Sequence, residues 1–112
     1  MKNLRNSVQL IGRLGNDPEF KKLTSGKSLA KFSIATTDSY RNAEGEKVED
    51  TQWHNIIAWG RQAEIAGEYL KKGQEIALEG KLIHKSYETA NGEKRYYSEI
   101  NLNELLMIGN KK

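Results

Sequence analysis

Hydrophobic and polar residues alternate from position 7 to 14. Val8, Leu10, Gly12 and Leu14 fall on one side, Gln9 and Arg13 on the other. A period of two predicts a half-buried strand. Residues 15–18, Gly-Asn-Asp-Pro, break or bend it, because Pro18 has no N–H to give a ladder. Alternation returns over 29–37, with Ala30, Phe32, Ile34 and Thr36 inward, and over 51–60, which holds Trp53, Ile56, Ile57 and Trp59. Between these two strands, 41–50 is polar, contains Gly45 and reads as a loop.

The period then changes. Ala63, Ile65, Ala66, Tyr69 and Leu70 recur at helical spacing over 61–72, which makes Tyr69 part of the buried stripe. Lys71 and Lys72 suit the negative end of the helix dipole, and Gly73 suits the position just past it. Alternation resumes over 75–87: Ile76, Leu78, Gly80 and Leu82 face one way, Glu79, Lys81, Lys85 and Tyr87 the other. Asn91-Gly92 signals a hairpin, since both residues tolerate positive φ. A last strand spans 95–107, with Ile100 and Leu102 inward. The order is β-β-β-α-β-β. Five antiparallel strands with one helix between strands 3 and 4 form the layout of an all-β OB-fold, a five-stranded Greek-key barrel.

Composition adds limits. The 112 residues suffice for one domain with a small core. No cysteine is present, which excludes disulfides, thiolate nucleophiles and cysteine-held metals. The first residues lack an apolar run of signal-peptide length, and no stretch approaches the ~20 apolar residues of a membrane span. The expectation is therefore a soluble, cytoplasmic chain. Eighteen basic residues against fifteen acidic give a net charge of +3, a mild excess compatible with nucleic acid.

The aromatic positions change the picture more. Trp53 and Trp59 stand six apart on one strand and share a face. Ile57 shares it too, which leaves the pair open between core burial and an exposed stacking role. Tyr40 ends the second strand beside Arg41, Tyr87 lies among charged residues, and Tyr96 and Tyr97 follow Lys94 and Arg95. Aromatics interleaved with cations suit unpaired bases: every base offers a π-face, and Lys or Arg meets the phosphates. Chemistry finds little support. His54 and His84 are the only histidines, neither beside an identifiable nucleophile, and no metal-ligand spacing occurs. No enzymatic activity, metal or cofactor is expected.

At these residues the chain resembles the bacterial single-stranded DNA-binding proteins. The likeness runs through Val8-Gln9-Leu10-Ile11-Gly12-Arg13-Leu14-Gly15 with Asp17-Pro18-Glu19, then Phe32-Ser33-Ile34-Ala35-Thr36 and Thr51-Gln52-Trp53-His54. It continues through Glu68-Tyr69-Leu70-Lys71-Lys72-Gly73 and Glu79-Gly80-Lys81-Leu82. The resemblance implies sequence-independent binding and protection of single-stranded DNA in replication, recombination and repair, near the nucleoid. It implies base stacking on Tyr40, Trp53, Trp59 and Tyr87, and phosphate contacts from Arg41, Arg61, Lys72 and Lys85. Tyr40 and Tyr87 stand where tryptophan is familiar in the family, so each stacks with less area. The position of His54 implies a subunit interface in a homotetramer, or a dimer.

One departure stands out. The family's flexible linker and acidic tip are not seen. Residues 1–108 read as the DNA-binding barrel and 109–112 as a short basic end, so the resemblance does not extend to recruitment of replication proteins through a tail. Two other readings of the barrel remain: a primosome-type protein that chiefly holds partner proteins, and an RNA-binding module, since stacking and phosphate contacts do not by themselves exclude RNA.

Overall fold

Alternating side chains build a ring of strands closed on itself. The computed structural model describes residues 5–108. The elements run β1 (Val8–Leu14), β2 (Glu19–Lys22), β3 (Ser28–Arg41), β4 (Lys47–Trp59), α1 (Gly60–Tyr69), β5 (Glu75–Glu88) and β6 (Lys94–Met107). The ladder order is β1-β5-β6-β4-β3-β2, and β1 also pairs with β3. Val8 to Arg13 pair with β5, while Arg13 and Leu14 reach Ala35 and Ile34 of β3. That second pairing closes a five-stranded barrel, the OB-fold with its helix between the third and fourth barrel strands. Closure brings the backbones together at Gly12, where a Cβ would lie 2.4 Å from the Ala35 carbonyl oxygen.

The core is what the alternation selects. Leu14, Ala30, Phe32, Ile34, Ile56, Ile76, Leu78, Ile100 and Leu102 fill the barrel, and Ala63, Ala66 and Leu70 seal it from the helix. The helical stripe at i, i+3 and i+7 places these three residues on one face. Tyr69 lies beside that stripe and is 55% exposed, which corrects its expected burial. The helix also ends earlier than expected: Leu70 is its C-cap, with its N–H on the Ala66 carbonyl. Lys71 and Lys72 therefore lie past the last helical turn. Gly73 does take a positive φ of 88°, but in the turn that follows, where the Gln74 N–H donates to the Lys71 carbonyl.

Three further features differ from the sequence reading. β2 is an additional short strand on the outer edge of β3, with Phe20 packed on Gly67 of α1. β4 and β6 pair in parallel, through Ile56 with Ile100 and Ile57 with Asn101, so the barrel is not wholly antiparallel. The expected loop over 41–50 contracts to 42–46, because β3 and β4 stay paired as far as Arg41 and Lys47. Residues there are exposed on both sides of the ribbon, so no alternation marks them. The β5–β6 ribbon likewise runs past the barrel. Both ribbons help raise the radius of gyration to 16.2 Å, against about 13 Å for a compact chain of about 100 residues.

Both ribbons end in the same kind of five-residue connection. Asn42 N–H bonds the Glu46 carbonyl and Gly45 N–H bonds that of Asn42; Thr89, Glu93 and Gly92 repeat the arrangement. The glycine alone is left-handed, with φ 81° at Gly45 and 83° at Gly92. Asn91 does not take positive φ, so the turn is a tight turn plus a glycine bulge rather than the two-residue form expected from Asn91-Gly92. Among the described residues no helix is long and apolar enough to cross a membrane. The basic end expected at 109–112 lies outside the described residues, as do positions 1–4.

Candidate nucleic-acid interface

Strand register decides which side chains share a surface. Residues directly opposite in a ladder lie on the same face, and each strand alternates faces along its length. On β4 the outward positions are Trp53, Asn55, Ile57 and Trp59. Their β3 partners are Ala35, Ser33, Lys31 and Leu29. The parallel pairing of Ile57 with Asn101 continues this face onto β6. From there it runs along Glu99, Tyr97 and Arg95, opposite Ile83, Lys85 and Tyr87 of β5. Trp53, Trp59, Tyr97 and Tyr87 therefore occupy one outer face spanning four strands.

The open question over the two tryptophans is settled by exposure. Trp53 is 63% and Trp59 39% exposed, while Ile57 between them is 5% exposed yet lies outside the barrel core. The far edge of the Trp53 indole rests on Gly15: a Cβ there would meet Cζ3 at 2.4 Å. The break after β1 thus forms the floor under this ring. Gly15→Ala is expected to push the indole aside, shift tryptophan emission and lower ssDNA affinity by up to about tenfold, part of the ~1–3 kcal/mol of one stacking contact. The melting temperature should barely move, because the displaced atoms end an exposed side chain.

Between the tryptophans and Tyr97 lies an open groove of about 360 Å³, lined by Asn16, Lys31, Ser33, Asn55 and Glu99 among others. Asn16 Oδ1 accepts from the Ser33 N–H at 3.0 Å and from its hydroxyl at 2.9 Å, tying the loop after β1 to β3. None of these polar residues was singled out in the sequence. Asn55 shares parity with Trp53 and was within reach of that argument; Ser33, Lys31 and Asn16 arrive only through tertiary pairing. On the β5–β6 ribbon, Tyr87 and Tyr97 form a tilted pair with centroids 6.0 Å apart and planes at 58°.

Other candidates lie elsewhere. Tyr40 is exposed but pairs with Val48, five residues from Trp53, so it stands on the opposite side of its ribbon. Tyr96, opposite Ser86, stands away from Tyr97 in the same way. Arg41 donates to the Gly45 carbonyl at 2.8 Å and braces the ribbon tip. Arg61 is exposed in the first turn of α1, two residues after Trp59. The Lys72 N–H donates to Asp17 Oδ1 at 2.8 Å, leaving its exposed side chain at the turn before β5. Lys85 sits 3.2 Å from Glu99. His54 points toward the barrel's inner side, half-buried, with Nε2 2.9 Å from the Thr36 hydroxyl. His84 Nδ1 lies 2.8 Å from the Ser98 hydroxyl. Among the described residues no group of three or more His, Asp or Glu is placed to hold a metal.

A closed OB barrel with an exposed aromatic face defines the general class. The chain belongs to the single-strand binding protein family, whose model matches residues 5–108. It is 42% identical over 107 residues to single-stranded DNA-binding protein 1 of Chlorobaculum tepidum, covering 95% of this chain and 66% of that one. It is 43% identical over 104 residues to the single-stranded DNA-binding protein of Neisseria meningitidis serogroup B, covering 93% and 60%. The chain thus spans about three fifths to two thirds of these relatives' length. Among solved structures it resembles a Plasmodium falciparum SSB complex with ssDNA, 31% identical, covering 96% and 97% of the two chains, with a TM-score of 0.84.

Proposed function

We propose that this chain binds single-stranded DNA without regard to sequence and does no chemistry on it, serving replication, recombination and repair. The observation that carries this reading is the single outer face holding Trp53, Trp59, Tyr87 and Tyr97 exposed on β4, β5 and β6. Planar rings on one exposed face accept successive bases of any identity. Tyr40, on the far side of the β3–β4 ribbon, offers a separate stacking position to a strand that passes around the ribbon. Arg41, Arg61 and Lys72 stand at the rim, where cations follow the phosphates and release counterions. The names of the relatives agree with this reading.

Self-association completes the proposal. From Val8 to Gly12 the second edge of β1 has no ladder partner among the described residues. Beside it, Ile11, Leu105 and Leu106 line an apolar groove of about 860 Å³ between β1, β5 and β6. An unpaired edge flanked by apolar side chains is a surface for a second copy. We assign the chain to a homotetramer, built from dimers, with His54 near a subunit contact, acting in the cytoplasm at the nucleoid.

A titration with oligo-dT, followed by tryptophan fluorescence at low and high salt, tests the function. Strong quenching that weakens as salt rises, with no response to duplex DNA, is the expected result. Absence of quenching and of binding at low salt would overturn the reading and direct attention to protein partners of the barrel. Tighter binding to a matched RNA than to DNA would assign the face to RNA instead.

A further inference from the structure

Lys85 and Glu99 occupy the middle of the proposed face, and their surroundings differ sharply. The ammonium lies 3.2 Å from the Glu99 Oε1; the Lys85 side chain is 46% exposed and that of Glu99 only 10%. In the ladder Lys85 stands opposite Tyr97, and Glu99 stands opposite Ile83, so the ion pair runs diagonally past the Tyr97 position. Tyr97 in turn meets Tyr87. Glu99 also lines the polar groove, where Lys31 is the other cation and Glu19 the other anion.

The two ends of this pair have unequal freedom. A phosphate that took Lys85 would leave a nine-tenths-buried carboxylate without its cation, next to a new negative charge. Stripping one partner from a buried ion pair is strongly unfavourable, whereas one solvent-exposed charge contact returns little. Arg95 offers a contrast on the same face: its partner Glu93 is 65% exposed and hydrates readily when the arginine leaves.

Resting on the reading of this face as the DNA path, we propose that Glu99 withholds Lys85 from the phosphate backbone. The pair enters the complex as a neutral unit and adds nothing to the electrostatic track. Lys85 is the counter-charge of Glu99 rather than a phosphate ligand.

Salt dependence separates the two roles, because each neutralised phosphate on a single strand adds about 0.7 to the slope of log K against log salt. The experiment compares oligo-dT binding by the unaltered chain, K85M, E99Q and K85M/E99Q across a salt series, with thermal melts alongside. K85M is expected to keep the unaltered slope, and so is K85M/E99Q, which removes both charges and spares the fold an unpaired carboxylate. E99Q is expected to free the ammonium and steepen the slope by about 0.7, so that the affinity ratio between about 50 and about 200 mM salt grows about threefold. A slope that falls by about 0.7 in K85M/E99Q, or that stays unchanged in E99Q, overturns the inference while leaving the DNA-binding face intact. An unaltered chain that fails to bind oligo-dT overturns both.

Discussion

Trp53→Ala is expected to weaken single-stranded DNA binding by between about fivefold and about a hundredfold while leaving the barrel folded. The range follows from the ~1–3 kcal/mol that one base–aromatic stack contributes and from ~1.4 kcal/mol per factor of ten. Exposure of 63% means that little burial is lost on truncation, and the underlying Gly15 needs no side chain above it to hold its place. Anisotropy of a labelled oligo-dT measures the affinity directly, and Trp59 remains as an internal fluorophore. Trp53→Tyr should recover part of the loss, since a smaller ring still stacks. An unchanged affinity would remove Trp53 from the DNA path. A large fall in melting temperature would show that the indole supports the fold instead.

Ile34→Ala is expected to act at the opposite pole of the molecule. Ile34 has no exposed surface, sits mid-strand on β3, and pairs with both His54 of β4 and Leu14 of β1. It therefore stands where the ring closes. Removing a fully buried aliphatic side chain costs about 2–5 kcal/mol, the lost transfer energy plus the cavity left behind. For a domain near 100 residues that lowers the melting temperature by about 10 °C or more. Oligo-dT affinity, measured well below the new midpoint, should stay within about twofold, because the side chain faces away from the tryptophan side. A small stability change would mean that the barrel relaxes into the space. A selective loss of affinity would mean that the closure of β1 on β3 shapes the outer face.

Much of this was legible from spacing. Period two in residues 7–14, 29–37 and 75–82 marks inward residues because a strand half buried in a barrel must alternate. The structure places Val8, Leu10, Leu14, Ala30, Phe32, Ile34, Ile76 and Leu78 inward as that pattern requires. Leu82 departs from the pattern, exposed where β5 leaves the barrel, because parity carries no information once both faces meet water. The same loss of contrast hid the paired halves of both ribbons and left β2 unread: all four of its residues are exposed, and Phe20 finds its partner only at Gly67, far along the chain.

The site divides along a similar line. Aromatic and basic residues stand out in any reading, and Trp53, Trp59 and Tyr87 needed only their positions to be candidates. Whether a tryptophan faced the core or the solvent depended on which strands flanked it, since Ile57 shares its parity and is buried outside the barrel. The sequence by itself determined the strand and helix periods, the inward residues and the kinds of side chain available for stacking, because these depend on local geometry repeated along the backbone. Only the tertiary structure decided that Tyr97 joins the tryptophans while Tyr40 turns away, that Gly15 floors the Trp53 ring, and that Lys85 is bound to Glu99. Those outcomes rest on register between strands distant in sequence, and a shift of one residue in any ladder would reverse them.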